Sequence, residues 1–167
     1  MERNFIDGYT EWQTNPEIVA VNKLPQHATL MPYENFDEAK KADRYASTRC
    51  KLLNGKWKFK LYKNYAYRPS DFAQPHYDSH NWDSVIVPCS WQMQGYDQAQ
   101  YCNVRYPWEG SEDICPPNAP TKHNPVGCYL KRIHINEAVL SKRVVLCFEG
   151  VESAFYLYVN GERVGYS

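Results

Sequence analysis

Residues 154–166 read AFYLYVNGERVGY and set the architecture that we expect for the rest of the chain. Two runs rich in aromatic and β-branched residues flank Asn160 and Gly161, both of which tolerate a positive φ. This pattern is typical of an antiparallel hairpin that is closed by a two-residue type I′ turn. We therefore predict strands at residues 154–159 and 162–166.

Two more strands are predicted upstream of this hairpin. After the turn at Asn54–Gly55 the residues alternate in character, which indicates a strand with one buried face and one solvated face. Its apolar positions are Trp57, Phe59 and Leu61, and its polar positions are Lys56, Lys58, Lys60 and Tyr62. Residues 84–87 predict a second, short strand that Pro88 ends, because proline has no backbone donor.

Another two strands are expected between these and the hairpin. Residues 126–136 predict a strand with Tyr129, Lys131, Ile133 and Ile135 on one face. Residues 143–149 are apolar almost throughout, as in a strand that is covered on both faces. Spaced strands with turn signals, little helix and long loops predict an all-β fold, an antiparallel β-sandwich.

The first 50 residues have a different character from the rest. They show no sustained period of either kind, and Pro16, Pro25 and Pro32 interrupt them. Each proline removes a backbone donor and restricts the residue before it, so regular structure is not expected here. Such a segment has to lie along a larger body or stay mobile.

One local signal stands out within this arm. Asn35 and Glu38 have the spacing of a capping box, which predicts a short helical turn through Ala42. We therefore divide the chain into an irregular, extended N-terminal arm with a short helical turn, residues 1–50, and a β-sandwich domain, residues 51–167.

The loop at residues 88–107, PCSWQMQGYDQAQYCNVRYP, is the candidate binding element. A neutral ligand with many hydroxyls needs amides for its hydroxyls and aromatic faces for its C–H surface, so this composition favours a sugar. The alternative is that the loop packs over the end of the sandwich while its amides bond to its own backbone. The aromatic residues are Trp91, Tyr96, Tyr101 and Tyr106, and the amides are Gln92, Gln94, Gln98, Gln100 and Asn103.

Composition excludes several classes of partner. The 167 residues are expected to form one domain. Nineteen basic residues balance nineteen acidic ones, so nucleic acid and anionic membranes are not expected as partners. No apolar run approaches the roughly 20 residues of a membrane span. Residues 1–10 show no features of a secretory signal, so we expect either a cytoplasmic protein or a chain that begins after a removed leader, and the cytoplasm is the location that we predict.

Cysteine, histidine and acidic residues give no sign of catalysis in this chain. The six cysteines contain no C-x-x-C pair, so a zinc site is not expected, and without an export signal their thiols are expected to be free. His134 is expected on the surface of a strand, because no nucleophile accompanies it. Glu109, Glu112 and Asp113 form a cluster of solvated character rather than a catalytic pair.

Three long blocks of the sequence, PCSWQMQGYDQAQYCNVRYP, NPVGCY and GVESAFYLYVNGERVGYS, occur in this order. Shorter matches lie at Trp12–Pro16 and Leu53–Trp57. Together they resemble the first folded domain of the β-galactosidases of glycoside hydrolase family 2. The likeness runs from Trp12 to Ser167 and so covers nearly the whole chain.

This resemblance implies a jelly roll of the galactose-binding kind, incomplete at its C-terminal side. It implies the N-terminal part of an enzyme that hydrolyses terminal non-reducing β-D-galactose residues in β-galactosides such as lactose, by a retaining mechanism. The two catalytic glutamates of the family lie on a downstream (β/α)8 barrel. We therefore expect no catalytic residue in this chain and no activity from the chain alone.

The resemblance also assigns the substrate-binding residues. The family motif Tyr-x-Asn-Val-x-Tyr-Pro matches Tyr101–Pro107. By this match Asn103 would form a hydrogen bond with a galactosyl hydroxyl, and Val104 would supply apolar surface beside it. A neutral amide suits this role because it both donates and accepts without the desolvation cost of a carboxylate.

Cofactors and partners follow from the same resemblance. Magnesium and sodium are expected in the parent enzyme, and Asn15 is a weak candidate for a structural magnesium, with a turn before Pro16 as its alternative role. The expected partners are a galactoside substrate, the rest of the parent enzyme with its barrel, and further copies in a homo-oligomer. Two alternatives remain, a stand-alone carbohydrate-binding module and a purely structural or assembly domain.

Overall fold

The computed structural model describes residues 12, 15–98, 104, 108–110, 112–113, 115 and 118–167. Within them five strands form two antiparallel sheets, and the helices are short. The all-β, antiparallel sandwich prediction is confirmed, while the jelly-roll assignment stays a prediction. The elements are α1 Phe36–Lys40, β1 Gly55–Tyr62, β2 Asp83–Val87, β3 Val126–Leu130, α2 Glu137–Leu140, β4 Tyr156–Val159 and β5 Glu162–Tyr166.

The larger sheet has the strand order β2-β1-β3, with β1 in the centre. Trp57 pairs with Val85, and Phe59 pairs with Tyr129. Paired residues point to the same face of a sheet, so these four side chains share one face. Phe59 is 0% exposed and Val85 is 1% exposed, which makes this face the core of the sheet. The predicted alternation in β1 therefore places its apolar residues correctly.

The opposite face of this sheet is covered only in part: Lys56 is exposed as predicted, whereas the part of the face around Lys58 and Lys60 is not fully solvated. Residues 63–82 fold back across it, and Lys58 Nζ donates to the carbonyl oxygens of Ser79 at 3.1 Å and His80 at 3.2 Å. Cys128, which pairs with Lys60, is only 6% exposed. Alternation in β1 could not reveal this cover, because the covering segment has no regular period of its own.

Residues 63–82 are held by side-chain packing and by one parallel backbone bridge, between Asn64 and Asn124. The guanidinium of Arg68 lies over the rings of Tyr65 at 4.3 Å and Phe72 at 4.6 Å, so this buried cation is surrounded by aromatic faces. Phe72 in turn meets Tyr158 of β4 edge to face, with 5.2 Å between ring centroids. The segment therefore lies between the larger sheet and the β4–β5 hairpin.

The hairpin itself agrees with the sequence prediction. Asn160 and Gly161 have φ values of 51° and 92°, as a type I′ turn requires. The ladder extends beyond the assigned strands, because Phe155 N donates to Ser167 O at 2.8 Å and Ser167 N donates to Phe155 O at 3.2 Å. The strands thus begin and end close to where the sequence places them.

The arm lies along the free edge of β5. Val21 N donates to Tyr166 O at 2.9 Å and Tyr166 N donates to Val21 O at 3.1 Å, an antiparallel bridge. Nearer the start, Trp12 stacks on Tyr156 with 6.0 Å between ring centroids and 17° between planes. Arg163 Cζ lies 3.5 Å from the centroid of the Trp12 ring. Backbone pairing and ring contacts together therefore tie the arm to the hairpin.

Replacing Trp12 by alanine is expected to lower the free energy of unfolding by about 1–2 kcal/mol, because it removes a ring stack and a cation–π contact. Urea unfolding of the two proteins measures the difference. Leu30→Ala is the control, since Leu30 belongs to the same arm and is largely exposed. Equal losses in the two variants would contradict a specific role for Trp12.

The helical turn in the arm forms as predicted. Asn35 Oδ1 accepts from Glu38 N at 2.9 Å and begins α1. The Glu38 carboxylate reaches back to Glu34 N at 2.8 Å, one residue before the cap. Both bonds supply partners to backbone donors that a helix start would otherwise leave unsatisfied.

Two strand predictions are wrong. The strand predicted at 126–136 ends at Leu130, and Asn136 instead caps α2 by accepting from Ala138 N at 3.1 Å. The strand predicted at 143–149 is absent, and Val144 and Val145 are 50% and 55% exposed. A strand requires a neighbouring backbone to pair with, and none of the described residues forms a ladder with residues 131–136 or 143–149.

Candidate functional site

The candidate loop leaves β2 through a short, tight turn. Residues Gln92–Gln94 form a 3-10 turn, and Gly95 ends it with a left-handed φ of 88°. Gln94 N donates to Trp91 O at 2.9 Å, and Tyr96 N donates to the same oxygen at 3.2 Å. We call residues 91–96 the loop base. Glycine is suited to Gly95 because a side chain there would be strained at this φ.

Two aromatic residues of the loop base belong to the core. The Trp91 ring lies 6.0 Å from the Phe59 ring, between centroids, and Tyr96 meets Phe59 edge to face at 4.8 Å. Burial raises the pKa of Tyr96, as does its hydrogen bond with Asp83. These rings therefore pack on the Phe59 face of the larger sheet, and they anchor the loop instead of offering free faces to a ligand.

One amide of the loop base serves the backbone. Ile86 N donates to Gln94 Oε1 at 2.7 Å, and Gln94 Nε2 donates to Ile86 O at 3.1 Å. The side chain thereby pairs with the outer edge of β2 as a strand residue would. Gln94 therefore bonds to backbone, although to that of β2 and not to the loop's own backbone as the alternative interpretation expected.

The far part of the loop carries the predicted sugar contacts. Val104 is 88% exposed, so its side chain is available to a ligand or to another part of the protein. Asn103 lies outside the described residues, as do Gln100, Tyr101 and Tyr106. The contact predicted for Asn103 therefore stays a prediction.

Asp97 is a residue that sequence reasoning missed. It follows the loop base with a φ of 58°, and its side chain is only 12% exposed. Its Oδ1 lies 3.9 Å from Nε2 of His123, across the gap to the segment before β3. The signal in the sequence is weak, because one aspartate among turn residues usually caps its own backbone. Here it links the loop to a second loop.

The acidic cluster serves the local backbone. Glu112 accepts from Thr121 N, from Thr121 Oγ1 at 3.3 Å and from Lys122 N at 3.0 Å. Partial burial opposes ionisation, yet the hydrogen bonds from Lys122 and Thr121 lower the pKa of Glu112. A catalytic acid needs a raised pKa, so Glu112 acts as a structural acceptor for the 121–122 turn.

With this geometry established, the chain can be compared with known proteins. No helix in the described ranges is long and apolar enough to cross a membrane. The family model for the glycosyl hydrolases family 2, sugar binding domain, matches residues 50–167. The chain belongs to this family. The match begins five residues before β1 and includes the loop base and the hairpin.

Curated relatives agree with the family. The chain is 47% identical over 161 residues to the β-galactosidase of Priestia megaterium (strain DSM 319 / IMG 1521), a match that covers 96% of this chain and 16% of that protein. It is 40% identical over 157 residues to the β-galactosidase of Clostridium acetobutylicum, covering 94% of this chain and 17% of that protein. The β-galactosidase large subunit of Lactobacillus helveticus is 40% identical over 168 residues, with 93% of this chain and 26% of that subunit covered.

The sugar binding domain builds no metal centre from its described residues. Asn15 Oδ1 accepts from Glu17 N at 3.0 Å, and Asn15 O accepts from Ile18 N at 3.0 Å, so Asn15 forms a turn. No group of three or more His, Cys, Asp or Glu side chains in the described ranges could hold a metal ion. Turn formation accounts for Asn15, and its assignment to magnesium stays a prediction.

The thiols of the sugar binding domain are free wherever the structure describes them. Free cysteines occur at Cys50, Cys89, Cys115, Cys128 and Cys147, which confirms the prediction at these positions. Cys102 lies outside the described residues.

Cys128 is expected to resist alkylation in the native protein, because burial raises the pKa of its thiol from 9.0 to about 11. Through this thiol alone, the free energy of unfolding does not change below about pH 9 and falls as the pH rises toward 11, since the unfolded state ionises first. Peptide mapping after iodoacetamide treatment at pH 8.5 compares Cys128 with the exposed Cys147. Equal labelling of the two in native protein would contradict the burial, whereas urea should equalise them.

Gly127→Ala is expected to destabilise the domain by about 1–3 kcal/mol, the usual cost of overpacking. A Cβ at this position would lie 2.5 Å from Cζ3 of Trp91 and 2.8 Å from Cε2 of Phe59, and both rings are packed. Thermal unfolding and tryptophan fluorescence measure the loss and the displacement of Trp91. Gly150→Ala is the matched control, because nothing lies within 4 Å of a Cβ there. Equal melting temperatures in the two variants would refute the contact.

Proposed function

We propose that this domain lends a sugar contact to the active site of a β-galactosidase whose catalytic residues lie elsewhere in the polypeptide. The parent reaction is the hydrolysis of terminal non-reducing β-D-galactose residues in β-galactosides such as lactose, with retention at the anomeric carbon. One observation carries the proposal. A loop fixed at its base by Trp91 and Gln94 presents Val104 to solvent, inside a chain that matches named β-galactosidases over most of its length.

The proposed separation of the sugar contact from the catalytic residues follows from the chemistry of retaining glycosidases. A retaining glycosidase needs two carboxylates about 5–5.5 Å apart, one as nucleophile and one as acid and base. Glu112, in the acidic cluster of this chain, is already committed to Thr121 and Lys122. The chain spans 16% of the Priestia megaterium relative, so most of the parent protein remains to supply the two carboxylates.

Asn103 and Val104 have complementary roles in this proposal. The Asn103 amide donates to and accepts from galactosyl hydroxyls without carrying a charge that would have to be desolvated. Val104 lies against the apolar C–H surface of the sugar. A hydrogen bond that strengthens as the ring flattens toward an oxocarbenium-like state contributes to rate as well as to binding.

The anchored loop base supports this role. Core packing of Trp91 and edge pairing of Gln94 fix the point at which the loop leaves the sheet. Ordering a loop before the ligand arrives reduces the conformational entropy lost on binding. The loop base is therefore a positioning device for the residues beyond it.

The rest of the parent enzyme is the proposed partner of the exposed apolar segment. Val144, Val145, Leu146, Phe148 and Val151 follow one another along the chain and are all exposed. Contiguous apolar surface of this kind marks an interaction site. We propose that the remaining polypeptide covers it, and that further copies form a homo-oligomer with magnesium and sodium bound in the parent enzyme.

The proposal also includes the location of the protein, which is the cytoplasm. The five free thiols in the described ranges are compatible with a reducing environment, which supports the cytoplasm as the location.

The test compares the full-length protein with the 167-residue chain. The full-length protein is expected to hydrolyse nitrophenyl β-galactoside much faster than nitrophenyl β-glucoside, and the chain alone is expected to hydrolyse neither. A full-length protein that prefers the glucoside would overturn the substrate. Measurable binding of galactose by the isolated chain would favour a stand-alone carbohydrate-binding module.

A further inference from the structure

A basic cavity lies on the face of the larger sheet opposite to the loop base. Its volume is about 810 Å³, and residues 75–80 form one of its walls. Lys56 and Lys58 of β1 line it, together with Lys131 and Arg132, which follow β3. We call it the basic cavity. Four cationic residues line this cavity, in a chain whose formal net charge is zero.

The ammonium groups of two of these lysines are held in place by backbone oxygens. Lys58 Nζ donates to Ser79 O at 3.1 Å and to His80 O at 3.2 Å, and Lys131 Nζ donates to Lys56 O at 2.8 Å. An ammonium group has three donors, so these bonds leave one on Lys58. The Lys131 ammonium lies 5.8 Å from the centroid of the Trp57 ring, on the Phe59 face, so Lys131 is not a phosphate ligand in this cavity. Cations positioned by backbone in this way lose less entropy when they bind an anion than freely rotating ones do.

The negative charge in the cavity is small. Asp78 is the one carboxylate among the described lining residues. It accepts from His80 N at 2.9 Å and pairs with His80 Nδ1 at 2.7 Å, so its oxygens are already engaged. One carboxylate against the cations of Lys56, Lys58 and Arg132 leaves a positive excess at a single concave site.

We propose that the basic cavity binds a phosphate-bearing small molecule, with the phosphate groups bound by Lys56, Lys58 and Arg132. Arginine forks and lysine ammonium groups both form strong, charge-assisted hydrogen bonds with phosphate oxygens. A volume of about 810 Å³ leaves room for an organic part or for further phosphates beyond the first.

The shape and position of the cavity distinguish this ligand from others. Nucleic acid is recognised along an extended basic surface, whereas these cations surround one concavity. The cavity is also separate from the candidate sugar site, because Trp91 and Tyr96 pack on the Phe59 face and Lys58 points to the other face. The proposal therefore does not rest on the β-galactosidase function.

Calorimetric titration of the full-length protein with tripolyphosphate and with inorganic phosphate tests the proposal. We expect binding of tripolyphosphate that weakens with added salt, and a loss of at least about tenfold in affinity in Lys56→Gln/Arg132→Gln. Lys142→Gln/Arg143→Gln is the matched control. It removes the same charge at exposed positions outside the cavity and should keep the parent affinity.

Three results would overturn the proposal. They are absence of tripolyphosphate binding, equal weakening in the two double variants, and equally tight binding of citrate, which would show that any polyanion is accepted. Arg132→Gln alone is the second variant if the first double variant unfolds, because Arg132 is exposed and follows β3. It should lower the affinity for tripolyphosphate, and an unchanged affinity in this variant would count against the cavity.

Discussion

Replacing Phe59 by alanine is expected to lower the free energy of unfolding by about 3–5 kcal/mol, the usual range for removing a buried aromatic ring. Phe59 is 0% exposed and stands at the centre of β1. Its ring contacts Trp91 and Tyr96 of the loop base and Tyr129 of β3, at centroid distances of 6.0, 4.8 and 4.8 Å. One substitution therefore removes contacts within the sheet and the support under the loop base.

The Phe59 experiment has a matched control in Phe36→Ala. Phe36 lies in α1, is largely exposed and contacts Lys40 through a cation–π interaction at 4.6 Å. Its loss should cost no more than about 1 kcal/mol. Urea unfolding gives both values, and tryptophan fluorescence reports whether Trp91 moves. A Phe59 variant as stable as the Phe36 variant would contradict the assignment of the core.

Local chemistry made part of the fold predictable. The turn at Asn160–Gly161 and the cap at Asn35 each depend on two or three neighbouring residues, and both form as predicted. The alternation in β1 likewise identifies its core face, because a strand exposes successive side chains to opposite sides. In each case the deciding interaction spans only a few positions along the chain.

Contacts between distant segments explain what the sequence did not reveal. Residues 63–82 cover part of the lysine face of β1 through Arg68, Phe72 and Trp82, none of which follows a helix or strand period. For residues 143–149 the sequence predicted a covered strand, whereas the segment is exposed and forms no strand. An apolar run indicates that a segment favours burial, but it does not say which partner covers it.

The candidate site, like the fold, was only partly predictable from the sequence. The composition of the loop predicted sugar binding but could not separate residues that support the loop from residues that contact a ligand. Trp91, Gln94 and Tyr96 are now known to support it, through contacts with Phe59 and Ile86. Their partners lie on β1 and β2, so only the folded chain shows which aromatics and amides remain available.

Asn103→Ala in the full-length enzyme is expected to remove about 1–3 kcal/mol of transition-state stabilisation, the value of a hydrogen bond whose partner is left without a substitute. This corresponds to a fall of about five- to 150-fold in kcat/KM for a galactoside. Stability should be unchanged, because the loop base that anchors the segment is untouched. Gln98→Ala is the matched control, as it removes an exposed amide from the same loop.

The most direct measurement is therefore kcat/KM for nitrophenyl β-galactoside in full-length Asn103→Ala, beside the parent enzyme and Gln98→Ala. The account predicts a loss of about five- to 150-fold in the Asn103 variant alone. Kinetics of the Asn103 variant that stay equal to those of the parent enzyme would contradict the sugar contact proposed for Asn103, and an equal fall in Gln98→Ala would contradict its assignment to Asn103 alone.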